Sequence, residues 1–142
     1  MSKTYEKNDC LGTREIIAEE EEVQGDGKVH KKLVLGKYNW RSFEDFACEA
    51  TIISQALRNL GLNPRDKIAI LAETRAEWIL TAYACFKNNI TIVTIYTNLG
   101  ADGIAHALNE TQVPFLVCSE ETLPKVASVI GKIEFQACEK VF

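Results

Sequence analysis

"KIAILAETRAEWILTAYACFKNNITIVTIY", Lys67 to Tyr96, decides the fold. It opens on a continuous apolar run and closes on another, "ITIVTIY", and between them Thr74 to about Lys87 has apolar residues on nearly every side of a helix. Strands that are apolar on both faces belong in a parallel sheet covered by helices on two sides. The charged group Glu73-Thr74-Arg75 marks the handover from strand to helix. Thr74-Arg75-Ala76-Glu77 has the spacing of a capping box, in which the threonine hydroxyl accepts from the amide of Glu77 and the glutamate reaches back to the amide of Thr74.

The same strand-helix beat continues downstream. A short helix is expected near Ala101 to Asn109, capped by Asn98, with Ala101, Ile104, Ala105 and Leu108 on one face. "VPFLVCS" reads as a third strand, and Ser119 is expected to cap a helix whose inner face is Leu123, Val126, Ala127 and Ile130. "IEFQACEKVF" begins a fourth strand. Right-handed crossovers then make a Rossmann-like layered parallel sheet the economical topology.

Upstream, Ser42 and Asp45 form a second capping-box pattern, and Phe43, Phe46, Ala47, Ala50, Ile53, Leu57 and Leu60 recur at threes and fours. Gly61 supplies a left-handed cap and Pro64 forbids continuation. Gly25-Asp26-Gly27 is a turn signal, and Val29, Lys31, Leu33 and Leu35 alternate, so residues 19–41 read as a β-hairpin with one face partly wet. Residues 1–18 read as an arm, Glu19 to Glu22 as a solvated charge run, and residues 42–142 as the α/β layer, incomplete at its C-terminus.

The totals exclude several classes. In 142 residues the formal charge is -4 and the basic residues are scattered, so nucleic acid is not an expected partner. No run reaches the about 18 uninterrupted apolar residues of a spanning helix, and the N-terminus lacks the marks of a signal peptide. Cys10, Cys48, Cys85, Cys118 and Cys138 form no C-x-x-C pair, which fits free thiols acting as small hydrophobes in a reducing, cytoplasmic setting. The glycosylation triplets at Asn89 and Asn109 are discounted accordingly.

The search for chemistry ends without a complete site. No G-x-G-x-x-G follows a strand, and "YTNLGADG", Tyr96 to Gly103, has two glycines and no trailing lysine to meet phosphate. His30 and His106 lack ligand or acid-base partners at a useful spacing, and Ser42, Ser119 and the cysteines lack a base and an orienter. Ligands of open parallel sheets gather beyond the carboxyl ends of the strands, and Glu73, Tyr96 and Ser119 are expected there.

"YNWRSFEDF", "ETRAEW", "ACF", "VTIY", "LG" and "HALNET", in that order, make the chain resemble the N-terminal part of the AMP-forming long-chain acyl-CoA synthetases, in particular the branch containing the animal types 3 and 4. The resemblance implies an adenylate-forming (AMP-binding) fold and an intact enzyme that joins a long-chain fatty acid to coenzyme A at the expense of ATP, with Mg²⁺. It also implies that the working motifs are elsewhere: the family's phosphate loop ending in Pro-Lys-Gly and its C-terminal catalytic lysine have no counterpart here. No catalytic, cofactor-binding or metal residue is therefore assigned, and the chain alone is expected to be inactive. Thr97-Asn98 and Ala101-Asp102 depart from the family's usual residues on that loop. The membrane-directing N-terminal segment of some relatives is absent, leaving peripheral contact with endoplasmic reticulum or other intracellular membranes open. The alternative is a stand-alone α/β binding or regulatory module of shared ancestry.

Overall fold

The computed structural model describes residues 2–23, 25, 29–134 and 140–141. The chain divides into two compact units, Met1–Cys48 and Glu49–Phe142.

The first unit begins with a single helical turn, α1 (Ser2–Tyr5), and is dominated by two long antiparallel strands, β1 (Asp9–Val23) and β2 (Val29–Ser42). The hairpin is longer than the 19–41 span read from its turn signal, because β1 already starts at Asp9. Of the expected turn, Gly25 is described, whereas Asp26 and Gly27 lie outside the described residues. The ribbon is wet on both faces, with Val29 and Leu33 about half exposed, rather than wet on one. Two strands without a covering layer cannot bury a face. Local chemistry holds it instead. Where the register slips between Arg14 and Ile16, the Arg14 guanidinium donates to the carbonyls of Leu35 and Gly36, both at 2.9 Å, and lies over the Tyr38 ring. Tyr38 stacks on Trp40 at 5.2 Å between centroids, and Gly12 lies under the indole, where a Cβ would come within 2.7 Å of a ring carbon. The Glu19 to Glu22 run faces Leu33 to His30 across the ladder, and Lys31–Glu19 (3.2 Å) and Lys32–Glu22 (3.9 Å) pair there. The run is exposed throughout, as expected of a solvated charge run, with two of its members paired across the ladder.

α2 (Phe43–Asn59) starts as the sequence predicts. The Asp45 amide donates to Ser42 Oγ (3.1 Å), and the Asp45 carboxylate accepts from the Ser42 amide (3.0 Å). It ends at Gly61, whose φ of 97° allows its amide to reach the Arg58 carbonyl and the Leu62 amide to reach that of Leu57, a Schellman closure.

In the second unit, β3 (Lys67–Leu71), β4 (Thr91–Thr94), β5 (Phe115–Cys118) and β6 (Lys140–Val141) form a parallel sheet in the order β4-β3-β5-β6. α3 (Ala76–Lys87), α4 (Ala101–Thr111) and α5 (Leu123–Val129) are the crossovers. The side chains of β3 alternate between two cores. Ile68 joins Leu57, Leu62, Ala84 and Cys85 from the α2 and α3 side, while Ala69 and Leu71 join Ile104, Leu108, Val126 and Val129 from the α4 and α5 side. That is why "KIAIL" is apolar without interruption.

Three caps differ from the sequence reading. α3 starts one residue late, with Arg75 as N-cap making no side-chain capping bond, and the Glu77 carboxylate accepts from the Arg75 guanidinium at 2.8 Å in place of a reciprocal bond with Thr74. A charge-assisted pair outcompetes a neutral amide for the carboxylate. The N-cap of α4 is Gly100, without a side-chain bond, rather than Asn98. The N-cap of α5 is Thr122 rather than Ser119, and its inner face is Thr122, Val126 and Val129, with Leu123, Ala127 and Ile130 exposed.

Candidate functional site

Two hydroxyls and a carboxylate lock together where β3 and β5 end. Ser119 Oγ donates to Glu73 Oε2 at 2.6 Å, and the Ser119 amide donates to Thr122 Oγ1 at 3.1 Å. Thr122 Oγ1 in turn donates to the Leu71 carbonyl at 2.8 Å, closing a link from the last residue of β3 to the turn ahead of α5. Thr122 is 1% exposed, so its hydroxyl has to be satisfied within the protein. The Ser119 hydroxyl, more than any other group, holds the Glu73 carboxyl below the usual carboxylate range; the Glu73 amide and, more weakly, Arg75 and Lys125 act in the same direction.

Next to this link is a cleft of about 250 Å³ lined by residues of the β3-α3 and β5-α5 turns, among them Arg75, Glu77, Trp78, Ser119, Glu120 and Glu121. The sheet order reverses here, since the chain leaves β3 toward β4 and leaves β5 toward β6. Such a crevice is the ordinary ligand seat of an open parallel sheet. Its guanidinium is already engaged: Arg75 bonds Glu77 and lies 3.4 Å from Glu121.

Of the three residues expected at this rim, Glu73 and Ser119 come together, whereas Tyr96 is 77% exposed and does not line the cleft. Thr122 and Arg75 were missed. The spacing Ser119-x-x-Thr122 was the available signal, two hydroxyls one turn apart after a strand. Elsewhere, His106 lies 3.4 Å from Glu110 on the exposed face of α4, an i, i+4 pair that the sequence reading passed over. His30 is exposed opposite Glu22. Cys85 is buried, which pushes its thiol up to about 11, and burial also raises Cys10 and Cys118; Cys48 is exposed, and Cys138 lies outside the described residues.

The described residues do not fit ATP or Mg²⁺. The turn of "YTNLGADG" offers no lysine of its own, and the Lys125 ammonium that approaches it donates to the Thr97 carbonyl. The cleft presents more carboxylates than cations. No group of three His, Cys, Asp or Glu side chains that could hold a metal occurs among the described residues.

Residues 21–141 match the family model of the AMP-binding enzymes. Long chain acyl-CoA synthetase 8 of Arabidopsis thaliana is 39% identical over 132 residues, covering 93% of this chain and 18% of that protein. Long-chain-fatty-acid–CoA ligase 1 of Schizosaccharomyces pombe is 35% identical over 143 residues, covering 93% and 21%. The chain therefore spans about a fifth of the length of these curated relatives. Among solved structures, the A-PCP didomain of the carboxylic acid reductase of Segniliparus rugosus, in complex with AMP, superposes with a TM-score of 0.73 at 18% identity, over 92% of this chain and 18% of that one. A fatty acyl CoA synthetase of Mycobacterium tuberculosis gives 0.69 at 16% identity, over 74% and 21%. These two likenesses are of fold, and they agree with the layered α/β sheet built above. By the match over residues 21–141, the chain belongs to the AMP-binding enzyme family.

Proposed function

We propose that this chain is the N-terminal portion of a long-chain fatty-acid CoA ligase. The intact enzyme would consume ATP, with Mg²⁺, and transfer the acyl group of a long-chain fatty acid to coenzyme A. The observation that carries this reading is the alignment of 93% of the chain with two long-chain acyl-CoA-forming relatives at 39% and 35% identity. A stand-alone binding or regulatory module is not favoured, because the relatives that align over 93% of the chain are a synthetase and a ligase by name. Residues 42–142 would open the AMP-binding domain, preceded by the hairpin, and no residue present here would take a catalytic role. No helix among the described residues is long and apolar enough to cross a membrane. We further propose a cytoplasmic location, with peripheral association with endoplasmic reticulum or other intracellular membranes.

Two measurements test the reading. The purified chain, given ATP, Mg²⁺, palmitate or arachidonate and coenzyme A, should form no acyl-CoA; turnover would overturn the assignment of catalysis to other segments. Grafted in place of the matching segment of the S. pombe ligase, it should leave a folded, palmitate-activating enzyme. A monodisperse chimera without activity, beside an active parent, would count against the long-chain reading.

A further inference from the structure

The turn that leaves β4, "YTNL" and the glycine after it, has little of its own to hold it down. Ile95 is still buried, and its amide still donates to the Ile70 carbonyl of the sheet at 3.0 Å. Beyond it Tyr96, Asn98, Leu99 and Gly100 are exposed, and the bond from the Leu99 amide to the Tyr96 carbonyl is internal to the turn. Among the described residues, one side chain reaches this turn from elsewhere in the chain by a hydrogen bond. The Lys125 ammonium, in the first turn of α5 and 28 positions away, donates to the Thr97 carbonyl. The same ammonium helps to keep the Glu73 carboxyl ionised, so Lys125 stands among the turns that follow β3, β4 and β5. A segment with exposed side chains and few backbone bonds opens locally at small cost, and a bond from a charged donor is stronger than a neutral one. One contact therefore decides the balance between closed and open.

We propose that residues 96–100 form a releasable strap at the carboxyl end of the sheet, with the Lys125 ammonium as its latch. Bonded to Thr97 the strap is closed; without that charge it opens while the sheet beneath stays intact. The carboxyl end is where open parallel sheets carry their ligands, which places the strap at the working end of the fold.

Tyr96 is 77% exposed, so chymotrypsin can cut after it once the strap opens, and at low protease the rate follows the open population. Lys125→Met keeps the apolar stem and removes the charge; cleavage after Tyr96, followed by mass spectrometry, should rise about fivefold. Lys125→Arg should bring the rate back to within about twofold of the natural chain. Amide exchange in β3 should be the same in all three, which separates release of the strap from a general loosening. Equal rates in the methionine variant and the natural chain would overturn the proposal, as would an arginine variant cut as fast as the methionine one. Should Lys125→Met lose protection in β3, the natural chain decides by NMR: a coupling through the hydrogen bond between Lys125 Nζ and the Thr97 carbonyl carbon is expected, and its absence would end the proposal. None of these readouts requires acyl-CoA synthesis, so failure here is distinguishable from failure of the ligase assignment.

Discussion

Thr122 carries more of the local structure than its place in "SEETL" suggests. Its hydroxyl serves the Leu71 carbonyl and the Ser119 amide from a buried position, so Thr122→Val leaves both without that partner. The expected cost is about 1–3 kcal/mol, read from the urea midpoint. Thr122→Ser should recover most of it. The neighbouring Glu73 makes the same link sensitive to acid. Its folded carboxyl titrates below its unfolded value because Ser119 bonds the charged form, so the contribution is complete above the unfolded value and is lost as pH falls through the depressed folded one. Stability of the natural chain should therefore fall more steeply below about pH 4 than that of Glu73→Gln, measured by denaturant midpoints over a pH series. Equal slopes would show that the bond does not form in solution. Glu73 and Ser119 were both legible as rim residues from the strand ends, but their bond was not, since 46 positions separate them in the chain.

At the level of elements, the caps separate what a local pattern can and cannot show. Ser42-x-x-Asp45 closes as its spacing predicts, and Ser42→Ala should cost about 1 kcal/mol by thermal or chemical unfolding. Thr74-x-x-Glu77 has the same spacing, yet α3 starts after Arg75, which takes the carboxylate; Thr74→Ala should cost less than about 0.5 kcal/mol. A larger loss at Thr74 than at Ser42 would reverse this ranking. The helix faces follow the same division. The stripes of α2 and α4 were legible from their spacing of threes and fours, and that of α4 survives although its N-cap is Gly100 rather than Asn98. That of α5 was read one position out of phase, since Leu123, Ala127 and Ile130 each follow directly on a buried residue, Thr122, Val126 and Val129. Cys85 illustrates a position decided by both levels: its place on an apolar helix predicts burial, and the packing of Ala84 and Cys85 against Ile68 makes the thiol inert. With iodoacetamide near pH 8, Cys48 should react in the native chain while Cys85 reacts only on unfolding, as peptide mapping would show.

Across the whole molecule, the two units differ in what holds them. The parallel sheet is sandwiched between two apolar cores, with Ile68 to Leu71 almost inaccessible, whereas the β1-β2 ribbon keeps both faces in water and leaves Ile17, Tyr38 and Trp40 more than half exposed. Hydrogen exchange should accordingly be slowest in β3 and far faster in the ribbon, with dye binding or self-association reporting the exposed apolar surface. Comparable protection in both would mean that the ribbon is covered in solution. By itself the sequence determined the α/β class, the order of strands and helices, the two-sided burial of β3 and the family, because each is written in residues close together in the chain, as period, apolar runs and turn chemistry; β4, read as equally buried, is only half-buried at Ile92 and Val93 and exposed at Thr91 and Thr94. Only the tertiary structure decided the strand order, the length of the ribbon and the hydrogen-bonded link of Glu73, Ser119 and Thr122 at the ends of β3 and β5. Those depend on partners brought together from distant positions, and no local pattern encodes which carboxylate an arginine or a serine will meet.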